Sequence, residues 1–240
     1  MRHRSLDAGA IAATIERLCL RVEVRFPGSG LAGVCRELDA IADRAAETSA
    51  WIGRPILPLR IAVGLLVALI LAGLVATLGA LRAPVEPLTL GELVQTIEAG
   101  VNDLVFVAVA VFFLLTLETR LKRRRALRAI HELRSIAHVI DMHQLTKDPE
   151  WVLDRGRETG VLPPRTMNRF ELSRYLDYCS EALSLTGKVA ALYMRDFDDA
   201  VALQAVNEVE DLTTGLSRKV WQKLMILYSM RDEGALRVDG

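Results

Sequence analysis

The stretch that decides the fold runs from Ile61 to Leu81 and reads IAVGLLVALILAGLVATLGAL. Its 21 residues include no charged side chain, and twelve of them are Leu, Ile or Val. A helix rises about 1.5 Å per residue, so a helix of this length crosses the roughly 30 Å hydrocarbon core of a bilayer. Burying the aliphatic residues in lipid gains on the order of 4 to 7 kcal/mol. The stretch therefore predicts a transmembrane helix over 61–81.

A second apolar stretch runs from Leu104 to Leu117 and reads LVFVAVAVFFLLTL. Its 14 residues are too few to cross a bilayer alone. Val101, Asn102 and Asp103 extend it at one end, and the long side chains of Arg120 and Lys122 reach toward the membrane surface at the other. We therefore predict a second transmembrane helix over 104–118.

The distribution of charge around the two stretches predicts their orientation. The loop 82–103 carries one Arg and four acidic residues, whereas residues 1–60 carry nine Arg and residues 118–128 carry six basic side chains. Because basic loops stay in the cytoplasm, both termini are predicted to be cytoplasmic and the loop to face outward. Within the loop, Thr89 and Glu92 form a capping box, which predicts a short helix at the outer surface.

Composition restricts the classes of protein and of partner. The chain of 240 residues has 30 basic and 30 acidic side chains, and this balance argues against a nucleic-acid partner. No signal-peptide pattern precedes the first apolar stretch, since charged and apolar residues mix at helical spacing over the first 50 positions. Arg outnumbers Lys by 25 to 5, which is typical of GC-rich bacterial genomes. We expect a multi-pass protein of the bacterial inner (plasma) membrane with lipids as its surroundings.

The amino-terminal segment 1–60 predicts a cytoplasmic helical hairpin followed by a linker. Two apolar stripes at spacings of three and four flank the helix-breaking sequence 26–30. The stripes consist of Ile11, Ile15, Leu18 and Val22, and of Leu31, Val34, Leu38, Ile41 and Ala45.

The segment 119–147 predicts a cytoplasmic continuation of the second span as one long helix, because no proline or glycine interrupts residues 101–147. Apolar residues recur in it at alternating spacings of four and three, the pattern of a short coiled coil or a bundle. This set, called the seam below, consists of Ala126, Ile130, Leu133, Ala137 and Ile140.

The carboxy-terminal segment 148–240 predicts a cytoplasmic helical bundle. A short helix follows Pro149, residues 161–166 are extended, and Asn168 with Glu171 starts the next helix as a capping box. A last helix begins near Asp198 or Asp199. The predicted fold class is an all-α membrane protein with two transmembrane helices, an amino-terminal hairpin and this bundle.

Two features indicate packing and lipid contact. Small residues recur every fourth position along the first span, and such a row permits close approach of helices in lipid. This small-residue ridge consists of Gly64, Ala68, Ala72, Ala76 and Ala80. Five basic residues next to the second span are predicted to face lipid and add up to roughly 5 kcal/mol of attraction to an anionic surface. They are Arg120, Lys122, Arg123, Arg124 and Arg125.

Chemistry-bearing residues form no pattern that predicts catalysis, a cofactor or a metal site. His131 and His138 share a helix face in the histidine segment, which ends at His143, but they lie roughly 10 Å apart along the axis, too far to bind one ion. Cys19 and Cys35 lie at similar distances from the predicted turn and are expected to be reduced core residues. Catalytic loops such as GxSxG, HExxH and the P-loop are absent from the sequence.

These features favour a non-enzymatic, self-associating membrane protein whose cytoplasmic bundle scaffolds or recruits a protein partner. A homo-oligomeric channel or transport subunit is the alternative, although neither span has a central charge or a polar stripe. A membrane-tethered metal-dependent enzyme using the histidine segment comes third.

Overall fold

The computed structural model describes residues 6–80, 90–149 and 167–236. Every regular element in these ranges is an α-helix, which confirms the all-α class as far as the description extends. The predicted short helix after Pro149 and the extended segment 161–166 lie outside the described residues. The helices are α1 (Ala8–Arg25), α2 (Gly30–Gly53), α3 (Leu57–Ala80), α4 (Leu90–Leu145), α5 (Arg169–Leu192) and α6 (Ala200–Leu236).

The chain divides into two compact units, and the boundary between them falls inside α4. The first unit combines residues 1–53 with residues 125–240, and the second consists of residues 54–124. The amino-terminal and carboxy-terminal segments therefore form one unit although both apolar stretches separate them in the sequence.

The first two helices pack on each other through the two stripes that the sequence predicted. Asp7 caps α1 by accepting hydrogen bonds from the amides of Gly9 (2.9 Å) and Ala10 (3.3 Å). The turn between the helices places Gly28 at a φ of 66°, a left-handed conformation that favours glycine. Both stripes, from Ile11 to Val22 and from Leu31 to Ala45, are buried.

The last two helices also pack extensively on each other. The predicted capping box at the start of α5 is confirmed: Asn168 accepts from the amide of Glu171 at 2.9 Å, and Glu171 accepts from the amide of Asn168 at 2.8 Å. Asp199 caps α6 by accepting from the amide of Ala202 at 3.0 Å. A Cβ at Gly187 would lie 3.2 Å from the hydroxyl of Thr213, so glycine permits a close approach between α5 and α6.

One hydrophobic core joins these four helices with the end of α4. In this core α1 and α2 both pack on α5, and the ring of Phe26 meets the edge of Tyr175 at a centroid distance of 5.3 Å. Lys223 of α6 donates to the carbonyls of Gln144 (2.7 Å) and Lys147 (3.2 Å), which satisfies acceptors at the carboxy-terminal end of α4. The unit is therefore a helical bundle built from both ends of the chain.

The second unit contains the two apolar stretches. Here α3 begins at Leu57, four residues before the predicted start, because Pro58 fits the first turn of a helix. The stretches Gly30–Ala76 and Glu98–Leu145 hold 18-residue windows with mean hydropathies of 2.6 and 2.2, and no residue of either window is buried. By length and composition, the chain thus has two helices that are able to cross a membrane.

The described part of α4 begins within the predicted external loop 82–103. Residues from Leu90 onward already belong to α4, which continues without interruption to Leu145. The predicted separate short helix at Glu92 is therefore the start of α4 itself, while Thr89, its predicted cap, lies outside the described residues. Gly91 and Gly100 lie within α4, where a glycine costs about 1 kcal/mol but does not break the helix. Proline does break a helix, and the sequence has none from Leu90 to Leu145.

Candidate interaction surfaces

The small-residue ridge lies on an open face of α3. Gly64, Ala68, Ala72 and Ala76 are exposed, whereas nothing is described of the side chain of Ala80. The half-buried residues of α3 form a different stripe, more than a quarter-turn away around the helix, at a spacing of 100° per residue. Among the described side chains they are Leu59, Val63, Val67, Ile70 and Leu74.

The open face also lets another backbone approach closely. A Cβ built at Gly64 would have no atom within 4 Å beyond its own helix neighbours. The ridge is flanked by large exposed apolar side chains, among them Leu65 (68% exposed) and Leu69 (69% exposed). A face of small residues between large ones is the shape that helix pairs use in lipid.

The seam is covered within a single chain. Its five side chains, from Ala126 to Ile140, are at most 1% exposed and belong to the shared core of the bundle. A surface buried in this way is not open to a second chain, so the seam has a role inside the bundle whether or not copies associate.

The basic residues near the second span do not share one environment. Lys122 is buried rather than facing outward, and its ammonium lies 2.8 Å from a carboxylate oxygen of Glu118. Glu118 and Lys122 are one helical turn apart, and side chains at i and i+4 lie side by side on a helix. Arg124 and Arg125 are exposed and Arg123 is half-buried.

Two of these arginines stack on aromatic rings. The guanidinium carbon of Arg120 lies 4.8 Å from the ring centroid of Phe113, and that of Arg125 lies 4.4 Å from the ring of Trp51. Stacking leaves the guanidinium edges able to meet phosphate oxygens, while it fixes the direction of each side chain.

Glu118 holds a charge cluster that sequence reasoning did not identify. Its carboxylate accepts from Arg60 at 2.6 and 3.3 Å, from Lys122 at 2.8 Å and from the amide of Ile56 at 3.3 Å. The side chain is only 14% exposed. Glu118 therefore connects the start of α3 to α4. The sequence offered one signal for this cluster, because Glu118 is the one acidic residue between the apolar stretch 104–117 and the basic residues 120–125.

The three histidines of the histidine segment lie in two different environments. His131 and His138 are exposed. His143 instead packs its ring on Gly30 at the start of α2, so closely that a methyl group at Gly30 would overlap the imidazole. Within residues 6–80, 90–149 and 167–236, no group of three His, Cys, Asp or Glu side chains could hold a metal ion.

A groove opens between the first turns of α5 and the end of α6, with a volume of about 420 Å³. No sequence pattern marked it, because its two walls lie more than fifty positions apart in the chain. Its lining residues are Arg169, Phe170, Ser173, Arg174, Asp177, Leu227 and Tyr228.

Comparison with known proteins identifies no relative: no family model, no curated protein and no solved structure matches the chain.

Proposed function

We propose that the chain is anchored in a membrane by α3 and α4, which both cross the bilayer. The support is the exposed apolar surface: the most apolar windows of both stretches contain no buried residue. Phe106 (74% exposed) and Val75 (68% exposed) are two of many such side chains. A contiguous apolar surface of this length is unfavourable in water and favourable in lipid.

The shared core supports a topology with both termini on one side. Residues 1–53 and 125–240 cannot build one core from opposite sides of a bilayer. An even number of crossings lies between them, and two apolar helices supply it. The basic residues beside the bundle then favour the cytoplasm of a bacterial cell as that side.

The function that these features support is a non-enzymatic, self-associating anchor of the inner membrane whose cytoplasmic bundle recruits a protein partner. The observation that carries self-association is the open small-residue ridge of α3. In lipid there is no hydrophobic drive between helices, so close backbone packing along such a ridge is the main source of affinity.

The mass of the complex in mild detergent or lipid nanodiscs tests this function. A bulky Ala72→Leu change should lower the mass from oligomer toward monomer, because leucine separates the packed backbones. Ala62→Leu is the matched control: the same change at an exposed alanine of α3 outside the ridge should leave the mass unchanged.

A monomeric parent protein would refute self-association. An oligomer that keeps its mass in both variants would retain association but remove the ridge from the interface.

A further inference from the structure

The groove between α5 and α6 exposes an aromatic ring between two cations. Phe170 is 60% exposed. The guanidinium carbon of Arg25 lies 5.4 Å from its ring centroid and that of Arg174 lies 5.7 Å from it. Arg25 comes from the end of α1, so two helices supply the cations around one apolar ring.

Positive charge exceeds negative charge at this groove. Arg169 and Arg174 line it together with one acid, Asp177, and Arg25 adds a third guanidinium from beside Phe170. Asp177 lies 3.5 Å from Arg174, a long and solvent-screened pair. Arg169 donates to the carbonyl of Leu227, which fixes one wall to the other. Three guanidinium groups against one carboxylate favour an anionic occupant.

The walls of the groove also offer hydrogen-bonding groups and an apolar extension. The hydroxyls of Ser173 and Tyr228 lie 3.3 Å apart at the surface. From Tyr228 (48% exposed) a row of exposed side chains continues along α6 through Met225 (50%) to Trp221 (60%). Their spacings of three and four place them on one helix face, over about two turns.

This composition is that of a protein-binding surface. Tyr, Trp, Phe, Met and Arg are enriched at the centres of interfaces, where they form most hot spots. A row of apolar residues along α6 that ends in a cationic groove matches an amphipathic helix, which inserts apolar side chains at i, i+4 and i+7.

We propose that this surface binds an acidic amphipathic helix of a partner protein. Apolar side chains of the partner pack on Phe170, Tyr228 and Met225, and its carboxylates meet Arg25 and Arg174. The inference rests on the proposed recruiting function and specifies what the partner presents to the bundle, an acidic amphipathic helix.

Selection of peptides on the intact protein tests the proposal. The full chain, held in nanodiscs made of zwitterionic lipid, is panned against a phage-displayed library of helical peptides with all residue types at the variable positions. Enriched sequences should carry Asp or Glu beside apolar residues at helical spacing. The best of them is then synthesised with a fluorescent label, and its dissociation constant is measured by anisotropy.

Substitutions then locate the binding site. Phe170→Ala and Arg174→Glu should each weaken binding of the selected peptide at least about tenfold. Lys219→Glu, a charge reversal at an exposed lysine of α6 that does not line the groove and lies about 150° around the helix from the row of Trp221, Met225 and Tyr228, should change it less than about twofold. A peptide with its acids replaced by Lys should bind the Arg174→Glu variant better than the parent.

Several results would overturn the proposal: no enrichment, enrichment of basic or uncharged sequences, or binding that neither variant weakens. Binding of vesicles containing phosphatidylglycerol that Arg174→Glu weakens, with no peptide selected, would overturn the proposal and assign the surface to anionic lipid instead. The mass of each preparation is measured in parallel. A monomer that binds the peptide would refute self-association and support peptide binding at the groove. An oligomer that binds no peptide would support self-association and refute peptide binding.

Discussion

At the scale of single residues, Cys19 and Cys35 meet where α1 packs on α2. The thiol of Cys35 donates a hydrogen bond to the sulfur of Cys19, which lowers the pKa of Cys19 and raises that of Cys35. Burial raises the pKa of Cys179 to about 12. Cys19 is half-buried, and the other two cysteines are buried. Because the thiolate is the reactive form, the three thiols should differ widely in reactivity.

Alkylation of the folded protein measures this difference. With iodoacetamide at pH 8, intact-mass analysis should show one added carbamidomethyl group, located at Cys19, and three after unfolding in guanidinium. Cys19→Ser should show none while folded. Rapid modification of Cys179 in the folded parent would contradict its burial between α5 and the rest of the core.

At the scale of helices, burial of the seam makes the stability of the bundle sensitive to substitution of Leu133. Its side chain is 0% exposed in the shared core. Leu133→Asp places an unpaired charge there and should destabilise the bundle by more than about 3 kcal/mol, whereas Leu133→Met should cost less than about 1.5 kcal/mol. Thermal unfolding in detergent, followed by tryptophan fluorescence, measures both. If Leu133→Asp instead kept the unfolding temperature and split the complex, the seam would join copies.

The same helices show how far the sequence predicts this fold. Local signals predict three features of the described helices: the stripes of α1 and α2, the capping box at Asn168, and the uninterrupted course of α4 from residue 101 to Leu145. The start of α4 at Leu90 was not predicted, because two glycines precede residue 101. The residues that bury the seam cannot be predicted from its spacing, because they come from segments far away in the sequence. The groove has the same origin: Phe170 and Tyr228 are 58 positions apart, and no local pattern links them.

At the scale of the whole molecule, the decisive constraint is that residues 1–53 and 125–240 share a core. If α3 crosses a membrane, the chain must cross back before residue 125. In the sequence, nine positions separate Ala80 of α3 from Leu90 of α4. The model of a two-span anchor therefore places a residue near the start of α4 and a residue of the bundle on opposite sides.

Labelling of intact cells tests that arrangement. Gln95 at the start of α4 and Gln222 in α6 are both exposed, and each is replaced by cysteine in a Cys19→Ser background. A membrane-impermeant maleimide should label Gln95→Cys in intact cells and Gln222→Cys only after the cells are permeabilised, because the basic residues retain the bundle in the cytoplasm. The reverse pattern would invert the orientation but keep two crossings. Equal labelling of both sites in intact cells would place them on the same side, which two membrane-spanning helices joined to one bundle do not allow.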